Sequence, residues 1–239
     1  MKALILAGGR GSRLDDLSAR KNKCMIPVKG RPAIEYSLDC ALKAGIEEIV
    51  LVVGYRAEEI INAYGNHYKN KRLRYALQWE QTGLVNAMAC AREALDGSDF
   101  MLMLGDEILI NPRHREMLDE FGKGDAFALC GILHVEDRDL IKRTYTLMHS
   151  NENVVYRLIE KPRNPLNNLM GTGNCVFKNG ILDYIEVTPI HHERKEKELP
   201  DLIQCAIDDG KTVKSFLICD RYTNINSRED IVTAERLLT

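Results

Sequence analysis

The chain has 239 residues and a net charge of −2, from 33 basic and 35 acidic side chains. That length allows one large or two small domains, and a 45% hydrophobic content is enough to bury a core. The near-neutral balance excludes nucleic-acid or anionic-membrane binding driven by charge alone, so an anionic ligand must be met by a few placed cations.

No apolar run reaches the ~18–20 residues that would span a bilayer. The seven cysteines form no CxxC pair, and most lie in apolar surroundings, as in a reduced, cytoplasmic protein. His191 and His192 are adjacent in a polar stretch, which reads as solvated residues, because zinc ligands are spaced.

Apolar runs alternate with helical patterns from the start. Ala3 to Ala7 reads as a strand covered on both faces. Pro32 opens a helix that runs to Ala44 and stops at Gly45. Ile49 to Val53 is a second buried strand, Ala57 to Tyr64 a helix, Leu73 to Leu77 a strand and Leu84 to Leu95 a helix. Phe100 to Leu104 and Phe127 to Leu133 repeat the strand pattern. This alternation predicts an α/β fold, a doubly wound and mainly parallel Rossmann-like sheet, with ligands beyond the carboxyl ends of its strands.

After about residue 140 the pattern loosens. Thr144 to Met148 and Val154 to Ile159 suggest a strand pair about Ser150–Asn153, followed by a strand at Gly173 to Phe177. Helices are expected at Ile181 to Glu186 and Glu198 to Asp209, then a strand at Val213 to Ile218 and a helix at Arg228 to Leu238. No linker divides the chain. The expectation is one domain, with a nucleotide-binding half, 1–135, and an inserted acceptor-binding half, 136–239.

The first strand empties into Gly8-Gly9-Arg10-Gly11-Ser12-Arg13-Leu14. Glycines let backbone N–H groups approach phosphate oxygens closely. The dinucleotide fingerprint needs a third glycine, and the second strand ends in Val53-Gly54-Tyr55 without an acid. No G-x(4)-G-K-[ST] run exists either. The stretch instead resembles the signature of the nucleotidyltransferases that activate sugar 1-phosphates, G-G-x-G-[ST]-R-L-x-P-x-T-x(4)-K-x-x-x-P. Gly8, Gly9, Gly11, Ser12, Arg13, Leu14, Lys23 and Pro27 fall in register. Asp16, Ser18 and Asn22 depart from the pattern.

The resemblance extends from Lys2 to Leu238. It implies that Leu6 and Ala7, with the glycine loop, Arg13 and Lys23, hold a nucleoside triphosphate. The two cations would neutralise charge that develops on the leaving pyrophosphate. Gln78 and Gly83, in Q-x(4)-G-L-V-N-A, match the base-reading segment, with Val85 where alanine is usual. Asp106, in Leu104-Gly105-Asp106, would bind Mg2+, and Asn224, in YTNINS, falls on the second metal ligand. Ile159-Glu160-Lys161-Pro162 matches the acceptor segment, which makes Glu160 a partner for acceptor hydroxyls and Lys161 for its phosphate. Arg194, in RKEKELPD, is a candidate second cation there. Tyr145 and Asn174 fall on further acceptor positions, and Thr146, where glycine is usual, would crowd a hexose.

The implied activity transfers a nucleoside monophosphate from CTP, UTP or dTTP to a phosphorylated acceptor, a sugar 1-phosphate first. A CTP-dependent cytidylyltransferase for a phosphocholine-like acceptor is the alternative, and a non-catalytic nucleotide-sugar sensor is a third reading. Arg13, Lys23, Asp106 and Lys161 carry the chemistry in the first two. Nucleic-acid and membrane partners are not expected; assembly into a homo-oligomer is left open.

Overall fold

The computed structural model describes residues 1–11 and 21–239. In chain order the strands are β1 (Lys2–Ala7), β2 (Pro27–Val28), β3 (Arg31–Pro32), β4 (Glu48–Val53), β5 (His67–Tyr68), β6 (Lys71–Leu77), β7 (Phe100–Leu104), β8 (Glu107–Ile110), β9 (Ala128–His134), β10 (Tyr145–His149), β11 (Val155–Glu160), β12 (Leu169–Phe177), β13 (Val213–Leu217) and β14 (Arg221–Asn224).

β1 lies at the centre because every residue of KALILA is buried. It pairs in parallel with β4 on one side and β7 on the other, in register Leu6↔Val52 and Leu6↔Leu104. β6 extends the parallel set beyond β4. β12 pairs antiparallel with β7 and carries the sheet into β9, β13, β10 and β11. The same ten-stranded sheet therefore runs through both parts of the chain. It is mixed, with its parallel core where the apolar runs are continuous.

The period-2 alternation of a strand sends neighbouring side chains to opposite faces. Leu4, Leu6, Val50, Val52, Phe100 and Leu102 share one core. Ala3, Ile5, Ala7, Ile49, Leu51 and Met101 share the other. Helix Leu84–Cys90 and helix Leu199–Asp208 cover the first face, and helices Ile34–Lys43 and His114–Phe121 the second. The helix expected over Leu84 to Leu95 is two, Leu84–Cys90 and Arg92–Leu95, with Ala91 between them.

After β1 the chain steps to β4 on one side, and β7 later pairs on the other. That reversal opens a crevice at the carboxyl ends of the two strands. The Gly105 N–H bonds to Leu6 O at 2.9 Å and the Tyr55 N–H to Gly8 O at 3.0 Å, which ties three strand ends together around it. A separate ribbon, β8 with β14, closes the acceptor side, with Glu107 opposite Asn224. No helix among the described residues is long and apolar enough to cross a membrane.

Candidate active site

The crevice holds a cavity of about 360 Å³ over the end of β1. Leu6, Ala7, Gly8, Gly9 and Gly11 form one wall, Gln78 and Gly83 another, and Lys23 and Asp106 the floor. These are the nucleotide positions read from the sequence, brought together by the ends of β1, β6 and β7. Ser12 and Arg13 lie outside the described residues. Gln78 is buried, and its Nε2 donates to Gly83 O at 3.2 Å and to Asn86 Oδ1 at 3.0 Å. The other end of its amide sits against Gly8, where a Cβ would stand 2.7 Å from Gln78 Oε1. Both amide hydrogens are thus used inside the protein, and Oε1 is left beside Gly8 at the cavity. Val85, by contrast, is wholly buried in the core on the first face and does not line the cavity.

Lys23 is delivered by the 3-10 turn Lys23–Met25. Asn22 caps that turn and is fully buried. Its Nδ2 donates to Ala7 O at 3.0 Å and Tyr55 O at 2.7 Å, and its Oδ1 accepts from the Cys24 N–H at 2.8 Å. The lysine is therefore pinned to the end of β1 by its neighbour, a role the sequence reading did not give Asn22. Its ammonium forms an ion pair with Asp106 and donates to Asn226 Oδ1 at 2.6 Å. Both side chains of the pair are largely buried, 12% and 16% exposed.

Asn226, rather than Asn224, thus reaches the Asp106 centre. The Ile225 N–H bonds to Asp106 O at 2.9 Å, which holds the chain after β14 against Asp106. Asn224 sits two residues earlier, opposite Glu107 in the ribbon. Both asparagines line the neighbouring cavity, and Asn226 alone reaches the Lys23 ammonium. The signal that could have found Asn226 is its place in the same short YTNINS run.

A second cavity of about 400 Å³ adjoins the first, and Lys23, Leu84, Leu104 and Glu196 line both. Tyr145, Glu160, Lys161 and the Gly171–Gly173 segment line the second alone. Lys161 follows β11 with φ 42°, a left-handed backbone uncommon for lysine and frequent at ligand sites. Its ammonium lies 2.8 Å from Glu160 and 4.0 Å from Glu198. Burial pushes the Glu160 carboxyl above its usual range, and Lys161 only partly offsets this. Burial likewise pushes the Glu107 carboxyl up to about 7, against bonds from Tyr222 and Gly173 that lower it.

Three acceptor assignments change. Asn174 is 1% exposed and its amide is consumed inside the protein, with Nδ2 donating to Glu107 Oε2 at 2.7 Å and Oδ1 set 2.7 Å from His114 Nε2. It does not line the cavity, because its side chain leaves β12 on the face turned to His114. Arg194 pairs with Glu198 and stands behind it, so Glu198 and not Arg194 meets the cavity. Thr146 faces away, its hydroxyl 2.8 Å from both Asn167 Oδ1 and Leu169 O, either of which can take its one proton, and so does not crowd an acceptor. Tyr145 does line the cavity, although its hydroxyl is used by Thr172 O at 3.1 Å. Glu196, in both cavities, is a residue that sequence reasoning passed over; it lies in the same RKEKE run as Arg194.

The arrangement can hold two anions end to end, with a lysine and a carboxylate at their meeting point. Among known proteins, the chain is 33% identical to UTP–glucose-1-phosphate uridylyltransferase AglF of Haloferax volcanii, over all of this chain and 96% of that protein. It is 30% identical to a glucose-1-phosphate thymidylyltransferase of Streptomyces griseus and spans 66% of that protein's length. A putative glucose-1-phosphate thymidylyltransferase from Bacillus anthracis superposes with a TM-score of 0.88 at 22% identity, covering 99% of this chain and 94% of that one. A UDP-glucose pyrophosphorylase in complex with UDP-glucose also gives 0.88, at 19% identity, over 99% and 97%. The family described as nucleotidyl transferase matches residues 2–234. With its glycine loop, Lys23 and Asp106 gathered at one strand switch, this chain belongs to the nucleotidyl transferase family.

Proposed function

We propose that this protein joins a pyrimidine nucleoside triphosphate, UTP or dTTP before CTP, to a sugar 1-phosphate and releases pyrophosphate. The observation that carries this reading is the junction of the two cavities at Lys23, with Asp106 on its ammonium. The names of the relatives support the choice of acceptor and base. In this reading residues 1–135 supply most of the nucleotide site and 136–239 most of the acceptor site, with Glu196 shared.

An acceptor phosphate oxygen attacks the α-phosphorus, a new P–O bond forms, and the bond to the bridging oxygen breaks. A phosphate monoester has a second pKa of ~6 and is largely dianionic near neutrality. No protein base is needed, and alignment with charge neutralisation supplies the rate. Lys23 moves from Asp106 to the triphosphate and holds charge as pyrophosphate leaves. Gln78 offers its Oε1 as an acceptor to the imino N–H of a uracil or thymine base. Glu160 takes acceptor hydroxyls, and Lys161 takes the acceptor phosphate. Asp106 and Asn226 converge on one cation position with oxygen donors only, which suits a hard ion such as Mg2+. When bound there, Mg2+ would neutralise phosphate oxygens as a Lewis acid. The seven free thiols suit a cytoplasmic setting.

The test is a pyrophosphate-release screen crossing CTP, UTP, dTTP and GTP with glucose 1-phosphate, N-acetylglucosamine 1-phosphate, phosphocholine and aminoethylphosphonate. Release with UTP or dTTP and a sugar 1-phosphate is expected. Release confined to phosphocholine or the phosphonate, or with no pair at all, overturns the reading.

A further inference from the structure

Beside Asp106 stands an acid that the transfer does not use. Glu107 opens β8 and is 2% exposed. Its carboxylate is committed to protein donors. Oε1 accepts from the Gly173 N–H at 2.9 Å and from the Tyr222 hydroxyl at 2.6 Å, and Oε2 accepts from Asn174 Nδ2 at 2.7 Å. The donors come from β12 and β14, and Asn174 extends the set to His114 on helix His114–Phe121. A buried carboxylate costs free energy even when hydrogen-bonded, and apolar packing of the same volume is often more stable. Its place in the molecule calls for a geometric reason.

The geometry supplies one. Consecutive Cα atoms are about 3.8 Å apart, so whatever Glu107 holds is held next to Asp106. Gly173, Tyr222 and the edge of Glu107 itself all line the second cavity. The pairing of β12 with β9 is irregular between Gly171 and Cys175, so the ladder does not hold the chain at Gly173. Glu107 provides the bond that the ladder omits. One carboxylate thus ties the Asp106–Lys23 centre to Gly173 and Tyr222 in the lining of the neighbouring cavity.

We infer that Glu107 is a positioning residue that sets the approach of the acceptor to the nucleotide, acting through Gly173 and Tyr222. This rests on the reading that the second cavity takes the acceptor. Three variants test it. Tyr222→Phe removes one hydroxyl. Glu107→Leu leaves three donors unpaired. Glu107→Gln keeps an acceptor oxygen for Gly173 and Tyr222, and a flipped Asn174 amide can meet its new NH2 group.

Initial rates with UTP and glucose 1-phosphate give the acceptor KM and kcat, and calorimetry with UTP alone gives nucleotide affinity. Tyr222→Phe and Glu107→Leu should each raise the acceptor KM about tenfold, about 1.4 kcal/mol, and leave the UTP Kd within about twofold. Glu107→Gln should recover most of that loss. If Glu107→Leu fails to fold, Tyr222→Phe carries the test. An unchanged acceptor KM in Tyr222→Phe, or a UTP Kd that moves as far as the acceptor KM, overturns the inference alone. Wild-type protein that releases no pyrophosphate with any pair overturns the functional reading, and the inference with it.

Discussion

Lys23→Ala should produce two effects of opposite sign. The Lys23 ammonium is held by the Asp106 carboxylate and by Asn226 Oδ1 at 2.6 Å, and the ion pair is mostly shielded from water. Unit charges about 4 Å apart at an effective dielectric near 20 attract by about 4 kcal/mol. Desolvation offsets much or all of that, so the pair adds little net stability. In the proposed reaction the same ammonium serves the triphosphate, and loss of one such donor costs ~10²–10³ in turnover. Yet the variant frees Asp106 from its internal cation. Divalent-ion affinity measured without nucleotide, by Mn2+ titration followed by electron paramagnetic resonance, should therefore tighten by about tenfold, the equivalent of about 1.4 kcal/mol. Pyrophosphate release gives kcat in the same preparation. A variant that turns over within threefold of wild type and binds Mn2+ no more tightly would refute both the role of Lys23 and the competition at Asp106.

Other expectations follow from single contacts. Asn22→Ala removes the amide that donates to Ala7 O and Tyr55 O; about 1–3 kcal/mol is expected from the loss at the buried Ala7 carbonyl, visible as a fall in thermal midpoint, and an unchanged midpoint would remove Asn22 from the anchoring of Lys23. Gly8→Ala puts a Cβ 2.7 Å from Gln78 Oε1, so the Gln78 amide must shift against its bonds to Gly83 O and Asn86 Oδ1. It should weaken triphosphate binding about tenfold by calorimetry, about 1.4 kcal/mol, with a modest fall in thermal midpoint; unchanged triphosphate binding would sink the assignment of Gln78. Gly171→Ala would drive a Cβ to 2.1 Å from the Tyr145 ring; overpacking of this kind costs ~1–3 kcal/mol or more, so the urea midpoint should fall, and a wild-type midpoint would contradict the packing. Glu160 has its carboxyl raised by burial. A carboxyl raised on folding favours the native state while protonated and loses that contribution as pH rises through its native pKa. The melting temperature of Glu160→Gln should thus gain on wild type as pH rises above the ordinary glutamate range; a constant difference would show that burial does not govern this group.

The parallel core was legible because its strands are buried on both faces. ALILA, IVLVV and FMLML are continuous apolar runs that no amphipathic helix would write. Elements held by local polar detail were not legible. Helix His114–Phe121 reads HREMLDEF, half of it charged, and only His114, Met117 and Phe121 are buried. The ribbon of β8 with β14 joins segments more than a hundred residues apart, each four residues long. Neither has a periodicity long enough to register, since the pairing partner supplies the stability.

The site divides along the same line. Positions where bare backbone or a strand end must meet a ligand were readable, because glycine, the strand terminus and a matched cation mark them in one dimension. Leu6 to Gly9, Lys23, Gln78 and Asp106 are of this kind, and they do share one cavity. Positions whose use depends on which way a strand faces were not. Asn174 and Thr146 occupy the expected stretches, but strand parity turns both side chains into the protein, where each finds its hydrogen-bond partners. Asn224 and Asn226 share a parity as well, so alternation alone could not choose between them. The choice is made by the Ile225 N–H bond to Asp106 O, a tertiary contact that brings the later asparagine onto the Lys23 ammonium. Motif spacing locates a segment, and the hydrogen bonds across the fold select the atom within it. On that ground Asn226→Ala should weaken Mn2+ binding more than Asn224→Ala does; equal losses, or the reverse order, would return the oxygen ligand to Asn224.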